Sequence, residues 1–143
     1  MRSRASLLLV LALAAACNEN KPPRSIATTT FHGQMPGSVG LAKPDVVLVP
    51  TAHVLGLTTA GSSSCPWLPV NLSVKSPSRI VIRVRSHAGI CTADAAATTF
   101  LMAVSDKVTG PQVQVEVDFG SRSEQVTARI LMSVPCGPQA TTG

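Results

Sequence analysis

At 143 residues, the chain has room for one hydrophobic core and one domain. Twelve Lys and Arg against seven Asp and Glu make it only mildly basic, and such a small excess argues against a nucleic-acid binder. Three Phe, one Trp and no Tyr leave the core to Val, Ile, Leu and Ala, and the abundance of Thr, Ser, Val, Pro and Gly favours strands and turns over helices.

The first element is residues 1–16. Arg2 and Arg4 precede an apolar run over 7–13, and the small residues Ala14, Ala15 and Ala16 follow. A charged start, a short apolar middle and a small-residue exit predict a secretory signal peptide. The run is shorter than the roughly 20 apolar residues needed to span a bilayer. Without Arg2 and Arg4 the remaining chain carries ten cations against seven anions. Leu13-Ala14-Ala15-Ala16-Cys17 resembles the lipobox of bacterial lipoproteins, with Ala14 where that family prefers a large aliphatic residue. The resemblance implies that Cys17 is lipidated and becomes the mature N-terminus. The protein would then sit on the outer face of the cell membrane, with its lipid anchor as the membrane partner. Ordinary cleavage at the small-x-small site would give a freely secreted module instead.

Residues 17–42 hold Lys21-Pro22-Pro23-Arg24, a run of three threonines and several glycines, with no hydrophobic period. They read as a flexible linker in which Phe31, His32 and Met35 are solvated. From residue 43 the pattern becomes short strands punctuated by turns, giving a domain over 43–135. Residues 45–50 are apolar, and 52–59 continue or pair with them. A loop over 61–66 follows. Val70, Leu72 and Val74 alternate with polar residues, Ser76-Pro77-Ser78 turns, and Ile80, Ile82 and Val84 alternate with Val81, Arg83 and Arg85. A long loop over 86–96 holds Cys91. Residues 98–104 are apolar on both faces, as in a central strand. Val113, Val115, Val117 and Phe119 then face one way and Gln112, Gln114, Glu116 and Asp118 the other. Gly120-Ser121-Arg122-Ser123 closes a hairpin whose answering inner face is Val126, Ala128, Ile130 and Met132. Residues 136–143 read as a tail.

About seven short strands without a convincing helix predict an all-β fold, a small immunoglobulin-like β-sandwich, with a closed barrel as the alternative. Cys65 and Cys91 are the natural disulfide pair of an oxidising compartment, each beside a predicted strand in mid-domain. Cys136 is left as a free thiol or an intermolecular partner if Cys17 is lipidated, or as a partner for Cys17 if it is not. Gly61-Ser62-Ser63-Ser64-Cys65-Pro66 followed by Cys91-Thr92-Ala93-Asp94 resembles a pattern of small uncharacterised exported proteins of Gram-positive bacteria. That resemblance supports the same pairing and an envelope location, and it implies no activity.

Candidate contacts are few. Arg79, Arg83 and Arg85 share a strand face with Val81. They form either a basic patch for an anionic polymer or lipid head groups, or a solvated face paired with Glu116 and Asp118. Trp67 either packs near the disulfide or offers an exposed aromatic contact. His32, His53 and His87 lack metal-ligand spacing, which leaves an exported metal-binding protein as the weakest reading. There is no Gly-x-Ser-x-Gly elbow and no Ser-x-x-Lys pattern, so no catalytic residue and no cofactor is implied. The expectation is a non-catalytic, exported binding or scaffolding module for an envelope polymer or protein. A freely secreted, disulfide-stapled binding or inhibitor module is the alternative.

Overall fold

Period-two alternation is cleanest between Val113 and Phe119, and there every second side chain is buried while those between face outward. The same rule orders the other strands. The computed structural model describes residues 23–38, 40–87 and 89–132. Among these, nine strands form: β1 (Thr29–His32), β2 (Asp45–Val49), β3 (Val54–Gly61), β4 (Leu68–Ser76), β5 (Arg79–Arg85), β6 (Ala96–Ala103), β7 (Gln114–Asp118), β8 (Ser123–Thr127) and β9 (Arg129–Ile130). A single 3₁₀ turn, Pro50–Ala52, joins β2 to β3.

The strands build two stacked sheets, ordered β1-β6-β3-β2-β9 and β4-β5-β7-β8, so the sandwich expectation holds. Between them lies a core of Val46, Leu48, Leu55 and Leu57 from one sheet and Ile80, Ile82, Val84, Val115 and Val117 from the other. Each such fully buried side chain contributes about 1.5–3 kcal/mol. β6 is an interior strand, as its two apolar faces predict. Two pairings are parallel: β5 with β7, and β2 with β9. β5 and β7 reach parallel register because the chain crosses to the opposite sheet, as β6, between them.

The last hairpin departs from its expected form. β8 ends at Thr127, and the chain switches sheets so that β9 pairs with β2. Ala128 is buried and Val126 and Ile130 are partly buried against the core, but Met132 is exposed. The switch ends the hairpin's inner face before Met132 is reached.

The described part of the 17–42 segment is not a free linker. The Ile26 N–H donates to the Pro69 carbonyl (2.8 Å) and the Thr28 N–H to that of Leu101 (2.8 Å), linking the two sheets along one side. β1 then pairs antiparallel with β6. All four of its residues are exposed, so it is held by backbone hydrogen bonds and leaves no apolar period to read. Phe31 and His32 remain exposed, as expected. Met35 does not: it is buried with Val47 and Val49 on the outer face of the first sheet, against Leu101 and Leu131. Gly56 makes room for it, since a Cβ there would lie 2.5 Å from the Met35 sulfur. Residues 33–38 thus form a strap across the sheet. The Gly33 N–H donates to Ala97 O (2.9 Å), and the Thr99 hydroxyl donates to Gly33 O (2.8 Å).

Arg129 fastens the far end of the strap. Its guanidinium grips the Asp45 carboxylate through Nε (3.1 Å) and Nη2 (2.6 Å), and Nη1 donates to Pro36 O (3.0 Å). Burial pushes the Asp45 pKa up, but the hydrogen bonds from Arg129 and Ser38 outweigh it and hold the group below its ordinary value. The pair ties β2, β9 and the strap together.

Candidate functional site

β3 leaves the first sheet at Gly61 and β4 enters the second at Leu68; β5 leaves the second at Arg85 and β6 re-enters the first at Ala96. Both connections cross between sheets at the same end of the sandwich. Antiparallel pairing brings the start of β2 to this end, and the β7–β8 hairpin turns here too. Loops gathered at one end of a rigid sandwich are the usual place for recognition.

The Cys65–Cys91 disulfide staples the two crossing loops, with Cα atoms 5.5 Å apart across a separation of 26 residues. Beside it lies a knot of hydroxyls. Thr92 Oγ1 is 2.7 Å from Ser62 Oγ and 3.2 Å from Ser64 Oγ, and the Thr92 N–H donates to Ser64 Oγ at 2.9 Å. Asp94 closes the knot by accepting from the Ser63 N–H (3.2 Å) and from the Thr92 hydroxyl. Hydrogen bonds from Ser63 and then Thr92 hold the Asp94 carboxyl down at about 2. Because the folded value lies below the ordinary 3.8, the clasp is complete above about pH 4 and is lost as pH falls towards 2. The protection factor of the Ser63 amide measured by hydrogen exchange should therefore fall as pH drops from 4 to 2. In Asp94→Ala, which removes the acceptor, it should be low throughout. Unchanged protection of the wild-type Ser63 amide at pH 2 would refute the clasp.

Trp67 extends the stapled end inward. It meets Phe119 edge-on, centroids 5.0 Å apart, and lies against Gly61, so the indole is core-packed rather than an open platform. Its close partner is Phe119 of the hairpin. Arg122 caps that ring, its guanidinium carbon 4.9 Å from the centroid.

The arginines of β5 split into two kinds. Arg79 reaches Glu116 at 3.4 Å and Arg83 reaches Asp118 at 3.3 Å, across the parallel β5–β7 register. The face read as a basic patch or a paired surface is therefore paired. Exposed pairs of this kind add about 0–1 kcal/mol each. Asp118 is held below its ordinary value chiefly by the Gly120 N–H, and also by Arg83 and Arg85. Arg85 instead donates to Val84 O at 2.7 Å and lies against Gly120 of the hairpin turn, at the loop end.

Among the described residues, no three or more His, Cys, Asp or Glu gather as a metal site. His32 ends β1, His53 follows the 3₁₀ turn and His87 lies in the β5–β6 connection. Cys17 and Cys136, and with them the lipid and the fourth-cysteine expectations, lie outside the described residues.

No family model matches the chain, nor does any curated protein or solved structure. The disulfide fits an oxidising, extracytoplasmic compartment. No helix among the described residues is long and apolar enough to cross a membrane.

Sequence reasoning found the staple but missed the clasp. Its signal was present: a serine run before one cysteine and Thr-x-Asp after the other are residues that bond neighbouring backbone and hydroxyls in turns. Their partners lie about 30 residues apart, which no local pattern specifies.

Proposed function

We propose that this is a non-catalytic, exported protein of the bacterial cell envelope. A lipid on Cys17 holds it to the outer face of the cell membrane, and its stapled loop end serves as a binding or scaffolding surface for an envelope polymer or protein. The observation that carries the reading is the doubly fixed loop end, where a disulfide and a hydroxyl clasp join the two crossing loops. Preordered loops bind with less entropy lost, which is the use a binding module has for such bracing. Ile90, fully exposed beside Cys91, is the apolar contact such a surface would offer. The charged start, short apolar run and Cys17 supply the export and anchoring half of the reading. A diacylglyceryl anchor gives stable attachment where a single chain would not.

Fractionation of the native host tests the anchor. The wild-type protein should sediment with membranes and partition into detergent, and its mature mass should begin at Cys17 plus lipid. Cys17→Ala should shift the protein to the soluble fraction. A wild-type mature mass without lipid, found in the medium, would establish the freely secreted module instead.

A further inference from the structure

The second sheet ends on β4, which carries Pro69, two breaks of register and the exposed Lys75, and on β8, which carries Glu124. Proline, bulges and charges are the usual guards against edge-to-edge pairing. In the first sheet β9 is only two residues long. The other edge, β1, is Thr29-Thr30-Phe31-His32, with no proline, no Lys, Arg, Asp or Glu, and an unbroken register against β6. All four residues are exposed, and Phe31, at 38 %, is among the few large apolar side chains left at the surface.

The ladder with β6 fixes which backbone groups of β1 are free. The Gly33 N–H donates to the Ala97 carbonyl directly opposite, so Phe31 and Thr29 are likewise hydrogen-bonded to β6. The N–H and C=O of Thr30 and His32 therefore point away from β6, to the side where no described strand lies. At the start of the strand the Thr28 N–H is turned inward to Leu101 O.

We propose that β1 pairs with β1 of a second copy of this chain, antiparallel about a twofold axis at Phe31. The free groups select this register. With Phe31 opposite Phe31, Thr30 of each copy lies opposite His32 of the other, and both free residues exchange N–H and C=O bonds across the axis. A twofold at Thr30 would call on the Thr28 N–H, already given to Leu101, and one at His32 would call on Gln34, beyond the strand. The Phe31 rings meet in the closer, non-hydrogen-bonded position, with Cα atoms about 4.5 Å apart. They bury each other's exposed surface as an aromatic cross-strand pair. No like charges face each other, whereas the edges of the second sheet would repeat Lys75 or Glu124 on both sides of an axis. The pairing doubles the five-stranded sheet. Because β1 runs towards the stapled loops and the two copies run antiparallel, their stapled ends lie at opposite poles of the assembly. Presentation of two binding ends rests on the loop-end reading above; the pairing itself depends neither on that reading nor on the anchor.

The test uses the full mature chain as Cys17→Ala, Cys136→Ser, so that an engineered thiol is the only free one. Sedimentation equilibrium should show dimers with a midpoint of about 0.1–1 mM, weak because a four-residue strand makes a small interface. Thr30→Pro removes an outward N–H and leaves the β6 ladder intact, so it should weaken association about tenfold or more with the melting temperature unchanged. Phe31→Cys should oxidise to a covalent dimer. Thr30→Cys and His32→Cys should not, because each lies beyond about 7 Å from its own counterpart in this register. A chain that stays monomeric to about 2 mM, well above the expected midpoint, would overturn the pairing. So would a Thr30→Pro variant that associates as tightly as its parent, or covalent dimers formed at position 30 or 32 in place of 31. None of these outcomes alters lipid attachment at Cys17 in the native chain, so failure of the pairing and failure of the anchor are told apart.

Discussion

Replacing both Cys65 and Cys91 by alanine lowers stability by about 3.5 kcal/mol, the chain-entropy value for closing a loop of 26 residues. For a domain of this size that is a fall of roughly 15–25 °C in melting temperature. The double variant is the cleaner test, because a single substitution leaves a thiol free to pair elsewhere. The loss arises mainly in the unfolded chain, which gains freedom, while the folded sandwich keeps its core. Amides of β3, β5 and β7 that exchange through global unfolding should therefore speed up by the full loss, and those of residues 61–67 and 86–95, released from the staple, should exchange faster as well. Thermal melts of the wild type with and without reductant give the same comparison without mutation. A drop of less than about 1 kcal/mol would refute the chain-entropy account of this staple.

Ile82→Ala should cost about 2–5 kcal/mol, the range for deleting a buried aliphatic side chain and leaving a void. Ile82 is wholly buried, between Leu72 of β4 and Val117 of β7 in adjoining registers. It sits mid-sheet, where backbone hydrogen bonds on both sides hinder collapse into the void. Against a total of about 5–15 kcal/mol for a domain, the variant is close to unfolding at body temperature. Denaturant melts followed by Trp67 fluorescence would measure it, because Trp67 packs on the same core. The pattern should differ from the disulfide variant: exchange rises throughout both sheets with no added rise at residues 61–67 and 86–95. A cost below about 1 kcal/mol would mean that Ile82 is not at the centre of the core.

These two sites were legible in different ways. Ile82 stands in the run Ile80, Ile82, Val84, whose alternation with Val81, Arg83 and Arg85 is enough to assign the inner face. The cysteine pair follows from position and compartment. The ion pairs of Arg79 and Arg83 with Glu116 and Asp118 were legible as one of two readings, because opposite charges stood on the outer faces of two alternating strands. Which reading held depended on whether β5 and β7 are neighbours. Met35 was not legible. It is one apolar residue in a segment of Gly, Pro and Thr, and its burial depends on the space left by Gly56, 21 positions on. Likewise nothing local distinguishes Thr59 from Thr58, although the Thr58 hydroxyl is paired and that of Thr59 is buried without a partner among the described residues.

What the sequence by itself determined is therefore the all-β class, most of the strands from β2 to β8, the inward sides of β4, β5, β7 and β8, and the cysteine pair. A side-chain period of two is a property of neighbouring residues, and it survives any choice of partner strand. What only the tertiary structure decided is which strands lie side by side: β5 beside β7 in parallel, β9 beside β2, and β1 with its strap on the outer face of the first sheet. Those pairings are set by the sum of many long-range contacts, each too weak to leave a mark in the local pattern. The loop clasp exists only where those pairings bring distant hydroxyls together, so the candidate site came with the tertiary structure.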